Sequence, residues 1–291
     1  MGTYSIKELE KLSGIKAHTI RIWEKRHNLI HPARTSTNIR FYSDDDLKKI
    51  INVSLLNNHG VKISRIAGMS SDEISRNVLD VTASQTSASA YIEQLVVAMV
   101  DLNEEQFDKL IADLVRKFGF ERTVTEAVYP FLEKIGVLWQ TENINPAQEH
   151  FISNLIRQKI ISAIDALPHL PNSKKKILLF LPEREMHEMG LLFDCYLAKQ
   201  AGFKVYYLGQ NVPHNDLISV VQTHQPQTLV TSVTTTMPKG ITAYLSQLSE
   251  QFPDKKILLT GLQAAELTGK LPANVQTFRN AMAFKELISK L

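Results

Sequence analysis

Glu185 and His187 stand two residues apart in Pro182-Glu183-Arg184-Glu185-Met186-His187-Glu188-Met189-Gly190, directly after the apolar run Ile177-Leu178-Leu179-Phe180-Leu181. A continuous apolar run of this length reads as a strand buried on both faces, and the turn after such a strand is where an open α/β sheet holds its ligands. The bland alternative is a surface or capping histidine in an ordinary strand-to-helix turn. A second group lies upstream, where Trp139 is followed after nine residues by Glu149-His150. Asn145-Pro146-Ala147-Gln148 caps a helix there, so a carboxylate and an imidazole fall in its first turn, close to an indole. These three can line a ligand, or they can be a core tryptophan and the ordinary start of a helix. A third set is basic: Arg21 and Arg26, then Arg34 and Arg40, with Thr19 and Tyr42 beside them.

The basic set needs a scaffold, and the first seventy residues supply one. Ile6, Leu9 and Leu12 repeat at helical spacing behind a Ser5/Glu8 capping box, and Gly14 breaks the pattern. Ala17 to Arg26 then follow as a second short helix with Ile20 and Trp23 inward. Two short helices around a glycine-containing turn are the helix-turn-helix pattern, in which the second helix enters the major groove. Leu29 to Tyr42 reads as a small hairpin with an arginine on each arm, and Ser43-Asp44-Asp45-Asp46 caps a third helix. Residues 1–70 hold twelve Lys and Arg against six Asp and Glu, a balance of +6 that leaves −3 for the rest of a chain of net charge +3. A basic head on a mildly acidic body points to a polyanion partner.

The order and residues from Thr19-Ile20-Arg21-Ile22-Trp23-Glu24 through Pro32, Arg34, Arg40 and Phe41-Tyr42-Ser43 resemble the MerR-type winged helix-turn-helix over about residues 3–75. The resemblance implies double-stranded operator DNA as partner. It gives groove or phosphate contacts to Thr19, Arg21 and Arg26 from the recognition helix, and to Arg34, Arg40 and Tyr42 from the wing. His18 and Lys25 fit contact and plain surface equally well.

Small polar residues over 76–90 read as a linker or a frayed helix end. Four amphipathic segments follow, Tyr91 to Val100, Glu104 to Phe118, Glu121 to Trp139 and Pro146 to Ile164, and their apolar spacing predicts a four-helix bundle over 91–167. From residue 174 to 291 buried strands alternate with helices. Strands at Ile177 to Leu181, Lys204 to Leu208, Thr228 to Val233 and Lys256 to Thr260, with a short one at Val275 to Phe278, give a doubly wound, Rossmann-like parallel sheet. The fold expected is thus multidomain: a winged helix-turn-helix head over 1–75, a bundle, and a flavodoxin-like α/β domain.

Glu185-x-His187-x-x-Gly190 is similar to the signature loop of cobalamin-binding domains, with Ser232-Val233-Thr234 and Gly261-Leu262 at the spacings of two further family elements. The resemblance implies a cobalt corrinoid whose lower axial ligand is His187, with Glu185 setting the ring's tautomer. Gly190 would lie in the same loop, Ser232 against the buried tail base, and Gly261 where backbone and ligand approach. Trp139-x9-Glu149-His150 is similar to the motif that covers the adenosyl face in cobalamin-dependent MerR photoreceptor repressors. Taken together, the three parts resemble the CarH/LitR type of light-responsive repressor. That implies adenosylcobalamin as cofactor, a homo-oligomer (dimer or tetramer) on DNA in the dark, loss of the adenosyl group in light, and no enzymatic activity.

Three positions depart from the pattern. Gln140 stands where the best-known members carry a cobalt-capturing histidine after the tryptophan, Thr234 replaces a leucine, and Leu262 replaces a second glycine. A regulator that works without cofactor, through a partner protein or oligomerisation, therefore stays open. So does a corrinoid methyltransferase subunit or mutase, which has no use for a winged head. A single cysteine, Cys195, excludes a disulfide framework or a thiolate zinc site within one chain. The absence of any run of eighteen apolar residues, and of a secretion-signal layout at the start, gives the expectation of a soluble cytoplasmic protein without membrane contact.

Overall fold

The computed structural model describes residues 3–84, 87–139, 146–168, 174–238, 240–267 and 271–291, and the chain divides into two compact units, Met1–Ile156 and Arg157–Leu291. The first unit is helical apart from a small wing. Helix α1 (Ile6–Ser13) opens with the Ser5 backbone N–H donating to Glu8 Oε2 at 2.5 Å, and it stops at Gly14, whose φ of 73° turns the chain out of the helix. Helix α2 (Ala17–His27) buries Ile20 and Trp23 and ends on Asn28 in the left-handed region. Strands β1 (Ala33–Arg34) and β2 (Arg40–Phe41) pair antiparallel with Arg34 opposite Arg40. Tyr42 then exchanges backbone hydrogen bonds with Tyr4, both at 2.9 Å, which fastens the returning arm of the wing to the chain ahead of α1.

Helix α3 (Asp44–Asn58) starts on the Ser43/Asp46 capping box, and short α4 (Ile63–Ile66) leads into α5 (Ser71–Ser84). The linker expected over 76–90 is corrected here. Helix α5 runs on to Ser84 because Ile74, Val78 and Thr82 recur every fourth residue and are buried, while Ser75, Asp80 and Ser84 face outward. Small polar composition marked a solvated helix face as far as Ser84, and α6 begins at Ser89. Helix α6 (Ser89–Val100) packs on α3, and Gln94 Nε2 donates to Asn52 Oδ1 at 3.1 Å while Lys48 Nζ donates to Asp101 at 2.6 Å. The head and the helices after it consequently form one body.

Helix α7 (Glu104–Phe118) buries Phe107, Leu110, Ile111 and Leu114, as its spacing predicts. The third rod is continuous from α8 (Phe120–Thr123) through a π-helical turn at Val124–Val128 into α9 (Tyr129–Trp139). Helix α10 (Pro146–Asp165) completes the expected four rods, burying Ile152, Leu155, Ile156 and Ile160. The unit boundary at Ile156 falls inside this helix, earlier than the expected end of the bundle at 167.

The second unit winds through β3 (Lys176–Pro182), α11 (Met189–Gln200), β4 (Lys204–Val212), α12 (His214–His224), β5 (Thr228–Ser232), α13 (Ile241–Gln251), β6 (Lys256–Thr260), α14 (Leu262–Ala265), β7 (Val275–Thr277) and α15 (Ala281–Ser289). All five strands are parallel in the order β4-β3-β5-β6-β7, the flavodoxin-like winding. Its direction reverses between β3 and β5. Leu178, Phe180, Leu229, Val233, Leu245, Ile257 and Leu259 make the core on one side. Cys195 is buried on α11, and burial pushes its thiol up to about 11. Strand β4 outruns its expected end at Leu208: register slips place Phe180 opposite Gly209 and Pro182 opposite Val212, with positive φ at Gly209 and Asn211. No described helix is long and apolar enough to cross a membrane.

Candidate cofactor site and nucleic-acid interface

The carboxyl ends of β3 and β5 meet at the point where the sheet's winding reverses, and the loops after them are joined by one carboxylate. Glu185, 1% exposed, accepts through Oε1 from the backbone N–H of Met186 (2.9 Å) and His187 (3.0 Å) and from His187 Nδ1 (2.6 Å). Through Oε2 it accepts from the backbone N–H of Thr234 (2.7 Å) and Thr235 (2.8 Å) and from Thr235 Oγ1 (3.0 Å). Burial alone would raise the pKa of this carboxyl, but the backbone donors of Thr235, His187 and Thr234 and the His187 ring outweigh it and hold it down at about 2. Glu185 is therefore an anion that fixes a tautomer: with Nδ1–H donating, the His187 lone pair sits on Nε2. That imidazole is 60% exposed, and Nε2 has no partner among the described residues.

The end of β4 braces the same loop. Gln210 Nε2 donates to the Met186 carbonyl at 2.6 Å, Arg184 N–H to Asn211 Oδ1 at 2.8 Å, and Asn211 N–H to the Glu185 carbonyl at 3.3 Å. Beneath it Glu188, at the start of α11, accepts from Arg157 Nε at 2.5 Å and from the Tyr207 hydroxyl at 3.0 Å. Ser232 is buried as the last residue of β5. Gly190 lies exposed in the first turn of α11 with open space where a Cβ would stand, so nothing around it demands glycine. Gly261 differs from its expected role. Its φ is 101° and a Cβ would stand 2.4 Å from the Val233 carbonyl oxygen, so the close approach is backbone to backbone between the loops after β5 and β6. Leu262 opens α14 with 58% of its surface exposed; it is not a plug in the core.

In the first unit, Trp139 is the last residue of α9, while Gln140 and Asn145 fall outside the described residues. Glu149 and His150 stand in the first turn of α10. Glu149 Oε1 accepts from Ser153 Oγ at 2.7 Å, and its other oxygen is 3.3 Å from the exposed His150 ring.

The basic residues of the head sort into two kinds. Arg21 and Arg26 are exposed on α2, and Thr19 is half-buried with its hydroxyl 3.3 Å from His18 Nε2. On the wing, Arg34 Nη1 donates to Asn38 Oδ1 at 2.6 Å and Arg40 Nε donates to Glu24 Oε1 at 3.2 Å. Tyr42 is corrected: its side chain is wholly buried, so it is core and not a DNA contact in this arrangement. Burial first, and then the neighbouring Glu24 carboxylate, push its phenol up to about 12, with Arg40 and Arg21 opposing. Sequence alone could not separate a contact tyrosine from a core one, since both suit a wing strand. Arg21 and Arg40 both lie within electrostatic reach of this ring, which brings the recognition helix and the wing to one place.

The model of the MerR HTH family regulatory protein matches residues 4–73, and that of the B12 binding domain matches residues 91–162. Residues 4–73 thus match a MerR-type helix-turn-helix, and residues 91–162 a B12 binding domain. The chain is 28% identical over 258 residues to the HTH-type transcriptional repressor CarH of Myxococcus xanthus, covering 87% of this chain and 82% of that protein. Similarity to the HTH-type transcriptional repressor CarA of the same organism is 27% over 213 residues, covering 72% and 69%. The solved monomethylamine corrinoid protein of Methanosarcina barkeri shares the fold, with a TM-score of 0.56, 14% identity, and coverage of 70% of this chain and 99% of that one.

The donor set after β3 fits a corrinoid in its chemistry. Among the described residues no cluster of three or more His, Cys, Asp or Glu could cage a bare ion. A metal that brings four equatorial nitrogens needs only one imidazole, and His187 is presented that way. Sequence reasoning gave no role in the site to Thr234, Thr235, Gln210, Asn211, Tyr207, Arg157 and Glu188. Thr234 was marked as a departure, yet what it contributes is a backbone N–H that any residue but proline supplies.

Proposed function

We propose that this MerR-type regulator is a transcriptional repressor that takes adenosylcobalamin, with the cofactor setting its oligomeric state and hence its hold on operator DNA. The working parts are the head over 1–75, the bundle over 91–167 and the sheet domain over 174–291. The observation that carries the reading is the Glu185–His187 pair at the β3/β5 reversal, an oriented imidazole with its outer nitrogen open to a ligand. When bound, the cofactor would supply a cobalt–carbon bond that light can break. In the second unit His187 would ligate the metal and Glu185 would hold its ring; in the first, Trp139, Glu149 and His150 are the residues that the resemblance gives to the cofactor. Ser232 would meet the tail base. Operator contacts fall to Thr19, Arg21, Arg26, Arg34 and Arg40. The bias between two arrangements, one favoured by the ligand, is the physical content of the switch. No step of this account requires the protein to catalyse a reaction.

The test is to mix purified protein with adenosylcobalamin in the dark and separate free cofactor by size exclusion. A coloured complex, larger than the apoprotein and bound to DNA until green light disrupts it, supports the proposal. His187→Ala is expected to change the axial-ligation spectrum. Absence of retained colour with intact DNA binding would overturn cofactor control and leave the regulator that acts through a partner or oligomerisation.

A further inference from the structure

The acid at the DNA-facing side of the head is the feature that the functional reading leaves unexplained. Glu24 sits on α2, between Arg21 and Arg26, where a negative charge opposes a polyanion. Its side chain is only 18% exposed. One oxygen accepts from Arg40 Nε; the other is buried beside the Tyr42 hydroxyl, whose phenol the carboxylate helps to push up.

We propose that Glu24 is a positioning residue for DNA binding, an acid on the recognition helix that fixes the wing residue Arg40 with its terminal guanidinium nitrogens turned to a backbone phosphate. The inference rests on the operator-binding reading above. The pairing uses the inner Nε edge of the guanidinium and leaves the two terminal nitrogens without partners among the described residues, on a side chain that is 38% exposed. An arginine held by one edge has lost most of its rotamer freedom before DNA arrives, and a planar fork fixed at Nε aims its outer nitrogens in a definite direction. The tie also joins α2 to β2, so helix and wing meet DNA as one surface. It offsets the repulsion of Arg34 and Arg40, which stand directly opposite each other in the wing.

The experiment uses the full chain and a labelled duplex that the wild-type protein has recovered from a random-sequence pool, with affinity measured by fluorescence anisotropy at several salt concentrations. Removal of a negative charge beside DNA should tighten binding if Glu24 acts by charge alone. The proposal predicts the reverse: Glu24→Gln weakens binding about fivefold with the salt slope unchanged, and in an Arg40→Ala background the same change alters affinity less than about twofold. Arg40→Ala itself weakens binding and lowers the salt slope by about one. Arg40→Lys, which keeps the charge and loses the planar edge, weakens binding with the slope kept, and serves as the second variant if Glu24→Gln melts early. Equal or tighter binding by Glu24→Gln, or equal binding by Arg40→Lys, overturns the proposal. A wild-type protein that recovers no duplex from the pool overturns the operator reading itself.

Discussion

Two glutamates each hold a functional side chain, one in each unit, and they do so under opposite conditions. Glu185 is sealed and both oxygens are saturated, with three donors apiece, four of the six being backbone N–H groups. Glu24 is less buried, spends one oxygen on Arg40, and has the other beside the buried Tyr42 hydroxyl. The first arrangement is complete without a ligand: the imidazole is oriented whether or not anything meets Nε2. The second holds its arginine by one edge, with the terminal nitrogens left for a partner. A cofactor to be retained favours a rigid, preassembled ligand, whereas DNA, met and left repeatedly, tolerates a looser one.

If that contrast is right, the largest loss comes from Glu185. Glu185→Ala strips the acceptor from four part-buried backbone N–H groups and is expected to cost about 3–5 kcal/mol of stability in the second unit, read by thermal or urea unfolding. A loss under about 1 kcal/mol would make the two glutamates alike and end the comparison. The same carboxylate sets a pH dependence. Its folded pKa of about 2 lies below the usual glutamate value, so its stabilisation is fully present above about pH 4.5 and is lost as pH falls toward 2. Glu185→Gln should flatten that acid limb.

Gly261→Ala comes next. The new Cβ would strike the Val233 backbone and the residue would keep a φ that L side chains avoid, so a loss of about 2–3 kcal/mol is expected. Tyr207→Phe is milder, since Glu188 keeps Arg157: about 1 kcal/mol, with cofactor retention weakened less than in His187→Ala.

What could be read from the residues follows the strength of their periodic signals. The five parallel strands and their helices, short α14 excepted, were legible because buried runs such as Ile177 to Leu181 have no alternative partner-rich state, and the four bundle rods were legible from spacings such as Phe107, Leu110, Ile111 and Leu114. Glu185 and His187 were legible as a pair because two residues separate them. Thr234 and Thr235 were not, since their bonds to Glu185 run mostly through backbone N–H groups, which carry no side-chain signature. Gln210 and Asn211 lie past Leu208, the expected end of β4, on a bulge that lets the strand continue and turns them to the loop after β3. The 76–90 segment misled because composition averages over a helix whose buried stripe is one residue in four.

The smallest expected effect separates the two wing arginines. Arg34 is held by the neutral Asn38, in an exposed turn where Asn38 has a φ of 65°, so Asn38→Gly removes the tether and keeps the backbone. A surface hydrogen bond of this kind contributes well under about 1 kcal/mol, and DNA affinity should fall by no more than about twofold, with the melting temperature nearly unchanged. Glu24→Gln, which weakens a partly buried ionic tether to Arg40, should exceed it clearly in the same anisotropy measurement. Equal losses would mean that burial and charge add nothing to how an arginine is presented here.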